Sequence, residues 1–142
     1  MVNHSKKINL AKEQLEDAIE LLINGRYTSC LTLAGAAEEV FTALVDVKLG
    51  KKPFHILHEL INHDLAAEGH QNISRGSFRK VRNRARNLVK HHDFGDEESV
   101  HINRQNQAIA TLGQAIISAD LLDVKYKNKR KYNAWLKQHR NT

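Results

Sequence analysis

The residues best suited to chemistry lie in one basic segment, where Arg86, Asn87 and His91 follow one another within six positions. Histidine titrates near neutral pH, so His91 is a candidate general acid or base. Arginine grips a phosphate through two donors and stabilises negative charge that develops on it, which is the role predicted for Arg86. Histidine and arginine are thus residue types that suit chemistry at a phosphate ester.

Helix geometry limits how these side chains can meet. At about 100° per residue, Asn87 and His91 lie about 40° apart on one face of a helix, whereas Arg86 and His91 lie about 140° apart. Arg82, Arg86 and Lys90 form a separate basic stripe. Arg86 and His91 therefore converge only through the reach of their side chains or at a frayed helix end. One chain supplies few groups for acid–base catalysis, and a two-fold dimer would bring two sets together.

The elements that must position these residues are predicted to be helices. The chain of 142 residues has one Pro and seven Gly, and its apolar residues recur at intervals of three and four. Ser74 and Ser99 are predicted to be the N-caps of the fourth and fifth helices. The sequence predicts an all-α protein, with an antiparallel bundle of four to five helices in residues 1–124 and a short helix in a basic tail, 125–142. The predicted helices cover about 5–23, 27–49, 54–67, 75–92, 100–124 and 129–139.

With these elements in place, the chain resembles the HEPN superfamily (higher eukaryotes and prokaryotes nucleotide-binding domains). The hallmark of that family is an Arg, a polar residue directly after it, and then a His, with four to six residues in total between the Arg and the His. Arg86, Asn87 and His91 fit it, and Arg84 with His91 or Arg86 with His92 also fits the spacing. An opening helical hairpin whose second helix is rich in Ala and ends in an acidic motif strengthens the resemblance, which covers about residues 5–122.

The resemblance implies a metal-independent endoribonuclease with its site at the interface of a homodimer. His91 would be the general acid or base, Arg86 the phosphate clamp and Asn87 the orienting residue. An acidic residue of the second helix would support the arginine, and both Glu38 and Glu39 are candidates. Members of this family often act as toxins or in defence and are neutralised by an antitoxin protein. No cofactor is implied.

Two other interpretations of the same residues stay open. The domain is catalytically silent in the first and binds a nucleotide, RNA or a protein partner. In the second, Arg86 pairs with Glu38 or Glu39 inside the bundle, and His91 simply ends a helix near the negative end of its dipole.

The excess of basic residues that gives the formal net charge of +6 is concentrated in two segments. Residues 75–90 and 125–142 hold seven bases each and no acid, while the remainder is acidic, which predicts polyanion binding at these segments. In the tail, Trp135 is a candidate for base stacking, with docking on the bundle as the alternative. No specificity for DNA is expected. The predicted RNA contacts are Arg79, Arg84, Lys129, Arg130, Lys131 and Trp135, and the predicted supporting residues are Arg82, Lys90 and His92.

Other classes of protein are disfavoured. The single Cys30 cannot form an internal disulfide and is predicted to be a buried hydrophobe. No apolar run reaches 18 residues, and the polar first residues predict no secretory signal, so a cytoplasmic protein without membrane association is expected. His55 and His58 share one helix face, but no third ligand matches them, so no metal site is predicted.

Overall fold

A computed structural model describes residues 2–50 and 52–139 of the chain. These residues form six α-helices and no strand, which confirms the predicted all-α class. None of the helices in this part of the chain is both long and apolar enough to cross a lipid bilayer. The helices are α1 (Lys7–Ile23), α2 (Tyr27–Leu49), α3 (Pro53–Ala67), α4 (Arg75–Lys90), α5 (Arg104–Leu121) and α6 (Lys129–His139).

The core lies where α2 packs against α1 on one side and α5 on the other. Ala11, Leu15, Ala18, Ile19 and Leu22 form the buried face of α1. α1 and α2 form a hairpin through a turn at Gly25, whose φ of 74° suits glycine. α2 is apolar on several faces because it has neighbours on several sides. Its residues that are buried are Cys30, Leu31, Ala34, Gly35, Ala37, Glu38, Phe41 and Val45.

Helix ends agree with the sequence where a strong local signal exists. Ser74 caps α4, as predicted, since its hydroxyl accepts a hydrogen bond from the Ser77 backbone N–H at 3.1 Å. The predicted cap at Ser99 is wrong. α5 begins later, where the Asn103 side chain accepts from the Asn106 backbone N–H at 3.0 Å. α4 also ends two residues before its predicted end, because His91 has an extended backbone.

The C-terminal helix α6 is docked on the bundle. Tyr132 and Trp135 are only 6% and 7% exposed and belong to the main hydrophobic core. The Lys127 backbone N–H donates to the Glu16 carboxylate on α1 at 2.8 Å, which fixes the approach to α6. Of the two alternatives for Trp135, the structure therefore has the one in which this residue docks on the bundle. Its ring is not available for stacking on a base.

Candidate functional site

A buried ion cluster joins α2 to α4 and is centred on Glu38. One oxygen of its carboxylate accepts a hydrogen bond from Arg86 Nη1 at 3.0 Å. The other oxygen contacts Arg82 Nη2 and accepts from the Thr42 hydroxyl at 3.0 Å. Glu39 is exposed, so the geometry identifies Glu38 as the direct partner of Arg86 and settles the choice that the sequence left open.

Arg86 lies deep inside the bundle, with 2% of its surface exposed. Its stem passes over Gly35 of α2, where a Cβ atom would lie 3.3 Å from Arg86 Cδ. Burial lowers the pKa of this guanidinium, and the negative charge of Glu39 partly opposes that change. The predicted phosphate clamp is thus enclosed between helices and is out of reach of a phosphate in bulk solvent.

Arg82 extends the cluster to two further helices. Its Nε donates to the Gln114 side chain on α5, and its guanidinium lies 5.4 Å from the centre of the Phe54 ring on α3. Burial, followed by the like charge of Arg86, lowers the pKa of Arg82 to about 10, so Arg82 stays charged at neutral pH. Two arginines against one buried carboxylate leave the cluster with an excess positive charge.

Asn87 and His91 lie on a different side of α4, in contact with solvent. Both line an open cleft of about 1420 Å³ between α4 and segment 91–103, which we call the α4 cleft. The His91 backbone N–H donates to the Asn87 carbonyl at 3.1 Å, so the two residues stay adjacent at the helix end. The cleft is also lined by the predicted residues Arg79, Arg84, Lys90 and His92 and by Asp93, Asp96, Glu97, Glu98 and His101.

The structure thus divides the predicted catalytic residues between two spaces. Arg86 lines a smaller cavity of about 400 Å³ between α2, α3 and α4, which we call the α3 cavity. Arg86 does not line the α4 cleft, whereas Asn87 and His91 line it and not the α3 cavity. Asn87 lies about 100° around α4 from Arg86, and His91 leaves the helix with an extended backbone. Arg79 and Asn83 line both spaces, so α4 is their common wall.

His55 is a residue of the α3 cavity that the sequence argument considered only as a metal ligand. Its ring lies 3.1 Å from Arg75 Nη1. Desolvation and then the positive charges of Arg75, Lys52 and Arg79 lower the pKa of His55, while Asp46 acts in the opposite direction. The signal in the sequence was the spacing of Arg75 and Arg79 along one helix, but only the packing of α3 on α4 shows that their charges act on His55.

The remaining candidate residues fall outside both spaces. His58 donates to the Ile73 carbonyl, and the Asn62 amide pairs with the backbone N–H and carbonyl of Ile73, which fixes the loop between α3 and α4. Within residues 2–50 and 52–139, no group of three or more His, Cys, Asp or Glu side chains could hold a metal ion. Lys129, Arg130 and Lys131 are exposed on α6. Burial raises the pKa of the Cys30 thiol to about 12, so the thiol stays protonated in the core.

Comparison with known proteins adds no assignment, because no family model, no curated protein and no solved structure matches this chain. The resemblance to HEPN proteins therefore depends on the motif and the hairpin quoted for it. The functional argument depends on the geometry of the two spaces along α4.

Proposed function

We propose that this protein is a metal-independent endoribonuclease of HEPN type that binds RNA along α4 and cuts it in the α4 cleft. The observation that carries the proposal is an accessible His91 beside Asn87, at the end of a helix that holds seven bases and no acid. Exposed Arg84 and Lys90 border the same cleft. Cationic side chains around an accessible histidine are what a phosphodiester substrate needs.

In the proposed reaction, the 2′-oxygen of the ribose attacks the adjacent phosphorus, and the bond from phosphorus to the 5′-oxygen breaks. His91 accepts the proton of the 2′-hydroxyl, or donates a proton to the leaving 5′-oxygen. Asn87 orients the scissile group, and Arg84 and Lys90 offset the charge on the phosphorane. Arg86 becomes a positioning residue, which holds α4 against α2 through Glu38.

A homodimer is part of this proposal, because the motif supplies one histidine at position 91 in each chain whereas cleavage needs both an acid and a base. A two-fold axis near the end of α4 would place two copies of His91 on one RNA strand. Light scattering after gel filtration tests this, and the specific activity should fall on dilution below the dissociation constant of the dimer. An active protein that stays monomeric at every concentration would exclude the shared site.

The test of cleavage uses purified protein and single-stranded RNA in the presence of EDTA. His91→Ala should reduce the rate by about 10²- to 10⁴-fold, the usual contribution of a general acid or base. His63→Ala is the matched control, since the His63 side chain is 82% exposed on α3 and lies outside the cleft. The assignment is wrong if His91→Ala cuts RNA as fast as the wild-type protein does.

A second candidate function is RNA binding without cleavage, and the enclosure of Arg86 favours it. An arginine whose Nη1 is bonded to Glu38 and whose side chain is 3% exposed cannot reach a phosphate in the α4 cleft without opening the α2–α4 contact. Binding that weakens with salt, with no cleavage by the wild-type protein, would identify this function.

The biological role that the proposal implies is that of a cytoplasmic toxin or defence protein held in check by an antitoxin protein. The acidic surface outside the two basic segments is available to such a partner. Expression of the wild-type chain alone should arrest growth, whereas His91→Ala at the same protein level should not. Equal growth arrest by both proteins would show that the toxicity does not depend on His91.

A further inference from the structure

The α3 cavity is lined by an unusual concentration of cationic side chains. Arg79, Arg82 and Arg86 reach it from α4, and Lys52 and His55 reach it from the start of α3. Three carboxylates also line it, namely Glu38, Glu39 and Asp46, and all three belong to α2. Glu38 is already paired with two arginines, so the wall formed by α3 and α4 is left positive.

Arg86 has donor groups that the protein does not use. Its Nε and Nη2 atoms are buried and have no hydrogen-bond partner among the described residues. A buried charged donor without an acceptor is costly, and such groups are usually satisfied by a water, an ion or a ligand. Because Arg86 lines the α3 cavity, an anion bound there is placed to compensate this deficit.

The first turn of α3 adds a second source of positive potential. α3 has 15 residues and begins with Pro53, and its first turn contains no acidic residue. Its N-cap, Lys52, makes no hydrogen bond from its side chain to the helix. Pro53 and Phe54 line the cavity, so the positive end of the helix dipole faces it.

We propose that the α3 cavity is a phosphate-binding site that takes the terminal phosphate monoester of a nucleotide or of an RNA strand. A dianion suits a wall that offers three arginines, a lysine and a helix start. The volume of about 400 Å³ lies in the range of small-molecule sites and admits a nucleotide. The site is separate from the α4 cleft, and only the identification of the ligand as RNA rests on the proposed function.

The test titrates the full-length protein with AMP and with adenosine and follows backbone amide shifts by NMR. AMP should bind saturably and shift amides at the start of α3, whereas adenosine should not. Lys52→Gln and His55→Ala should each weaken AMP binding by about tenfold, the effect of losing one charge-assisted contact. Lys7→Gln and His63→Ala are the matched controls, because these exposed residues line neither the α3 cavity nor the α4 cleft, and they should leave AMP affinity unchanged.

A second comparison distinguishes the two sources of the phosphate. If RNA ends are the ligand, a short RNA with a 5′-phosphate binds more tightly than the same RNA with a 5′-hydroxyl, and His55→Ala removes the difference. If free nucleotides are the ligand, AMP binds while the two RNAs bind equally. The inference is overturned if AMP shows no saturable binding, or if all four variants weaken it equally. Loss of cleavage in His91→Ala with intact AMP binding would separate this site from the proposed catalytic one.

Discussion

At the scale of single residues, Glu38 organises the interior of the protein. Its two oxygens accept from Arg86 and Thr42 and contact Arg82. The sequence anticipated an acidic partner for Arg86 on the second helix but offered both Glu38 and Glu39. Adjacent helical positions differ by about 100°, so only the rotation of α2 against α4 decides which carboxylate points inward.

Removing the Arg86 side chain should destabilise the folded protein. Arg86→Ala leaves Glu38 with one arginine and opens a cavity over Gly35, so the free energy of unfolding should fall by about 3–5 kcal/mol. Arg84→Ala, on the exposed face of the same helix, should change it by less than about 0.5 kcal/mol. Urea denaturation followed by circular dichroism measures both values, and similar small losses for the two variants would contradict the buried pair. A loss of activity in Arg86→Ala therefore says something about catalysis only if the unfolding curve shows that the variant is still folded under the assay conditions.

His55 should titrate below the usual range of histidine. Its pKa is lowered first by desolvation and then by Arg75, Lys52 and Arg79, so Arg75→Gln should raise it. Because His55 binds fewer protons in the folded than in the unfolded state, its contribution lowers stability as the pH falls below about 6.5. NMR titration of the imidazole in the wild-type protein and in Arg75→Gln checks the direction. Arg84→Gln, on the other side of α4, should not move this pKa, and an equal change in both variants would refute the contact.

At the scale of helices, the small residues of α2 have a specific use. The small side chains of the run Ala34-Gly35-Ala36-Ala37 leave room for a neighbouring element, and the stem of Arg86 is what approaches. The sequence shows that such a surface exists, because small side chains are visible in it. It does not show which side chain of α4 crosses that surface, since this depends on the packing of α2 on α4, whose contacting residues Glu38 and Arg86 are 48 positions apart in the sequence.

Gly35 and Gly113 provide a matched pair of substitutions in helix interiors. A Cβ atom at position 35 would lie 3.3 Å from Arg86 Cδ, whereas at position 113 its nearest contact is the Tyr132 hydroxyl oxygen at 3.9 Å. Alanine is favoured over glycine in a helix by about 1 kcal/mol. Gly113→Ala should therefore stabilise the protein, while Gly35→Ala should be neutral or destabilising by about 1 kcal/mol. Equal stabilisation in thermal unfolding would show that Arg86 has room to shift.

Two of the helix ends that differ from their predicted positions flank segment 91–103, and α5 also ends at Leu121, three residues before its predicted end. The sequence carries competing signals in this segment, since both Ser99 and Asn103 are good N-cap residues. Burial decides between them. Val100 is 43% exposed, so extending α5 back to it would bury little apolar surface. α2 and α6, which have strong apolar faces and clear breaks, have the bounds that the sequence predicted.

At the scale of the whole molecule, the positive charge lies on two helices with different packing. α4 borders both the α4 cleft and the α3 cavity, whereas α6 presents its bases to solvent and buries Tyr132 and Trp135. The sequence located both basic segments correctly because charge is a local property. It could not separate the two sides of α4, because they are defined by α2, α3 and segment 91–103 together.

The exposed bases of α6 and its buried aromatic residue should respond differently to substitution. Neutralising Lys129, Arg130 and Lys131 with Gln should reduce the slope of log affinity for single-stranded RNA against log salt by about 2 if all three contact phosphates. The same variant should unfold at nearly the wild-type denaturant concentration. Trp135→Ala should instead lose about 3–5 kcal/mol of stability, because it empties a core position. An unchanged salt slope in the triple variant would remove α6 from the RNA interface.

The passage of Arg86 over Gly35 toward Glu38 also has a consequence for divergence among related chains. These three positions are structurally coupled, because a side chain at position 35 would crowd the stem of Arg86, and a neutral residue at 86 would leave Glu38 paired with Arg82 alone. Substitutions at the three positions should therefore be correlated across relatives. Position 91, whose side chain faces solvent, should vary independently of them unless catalysis retains it.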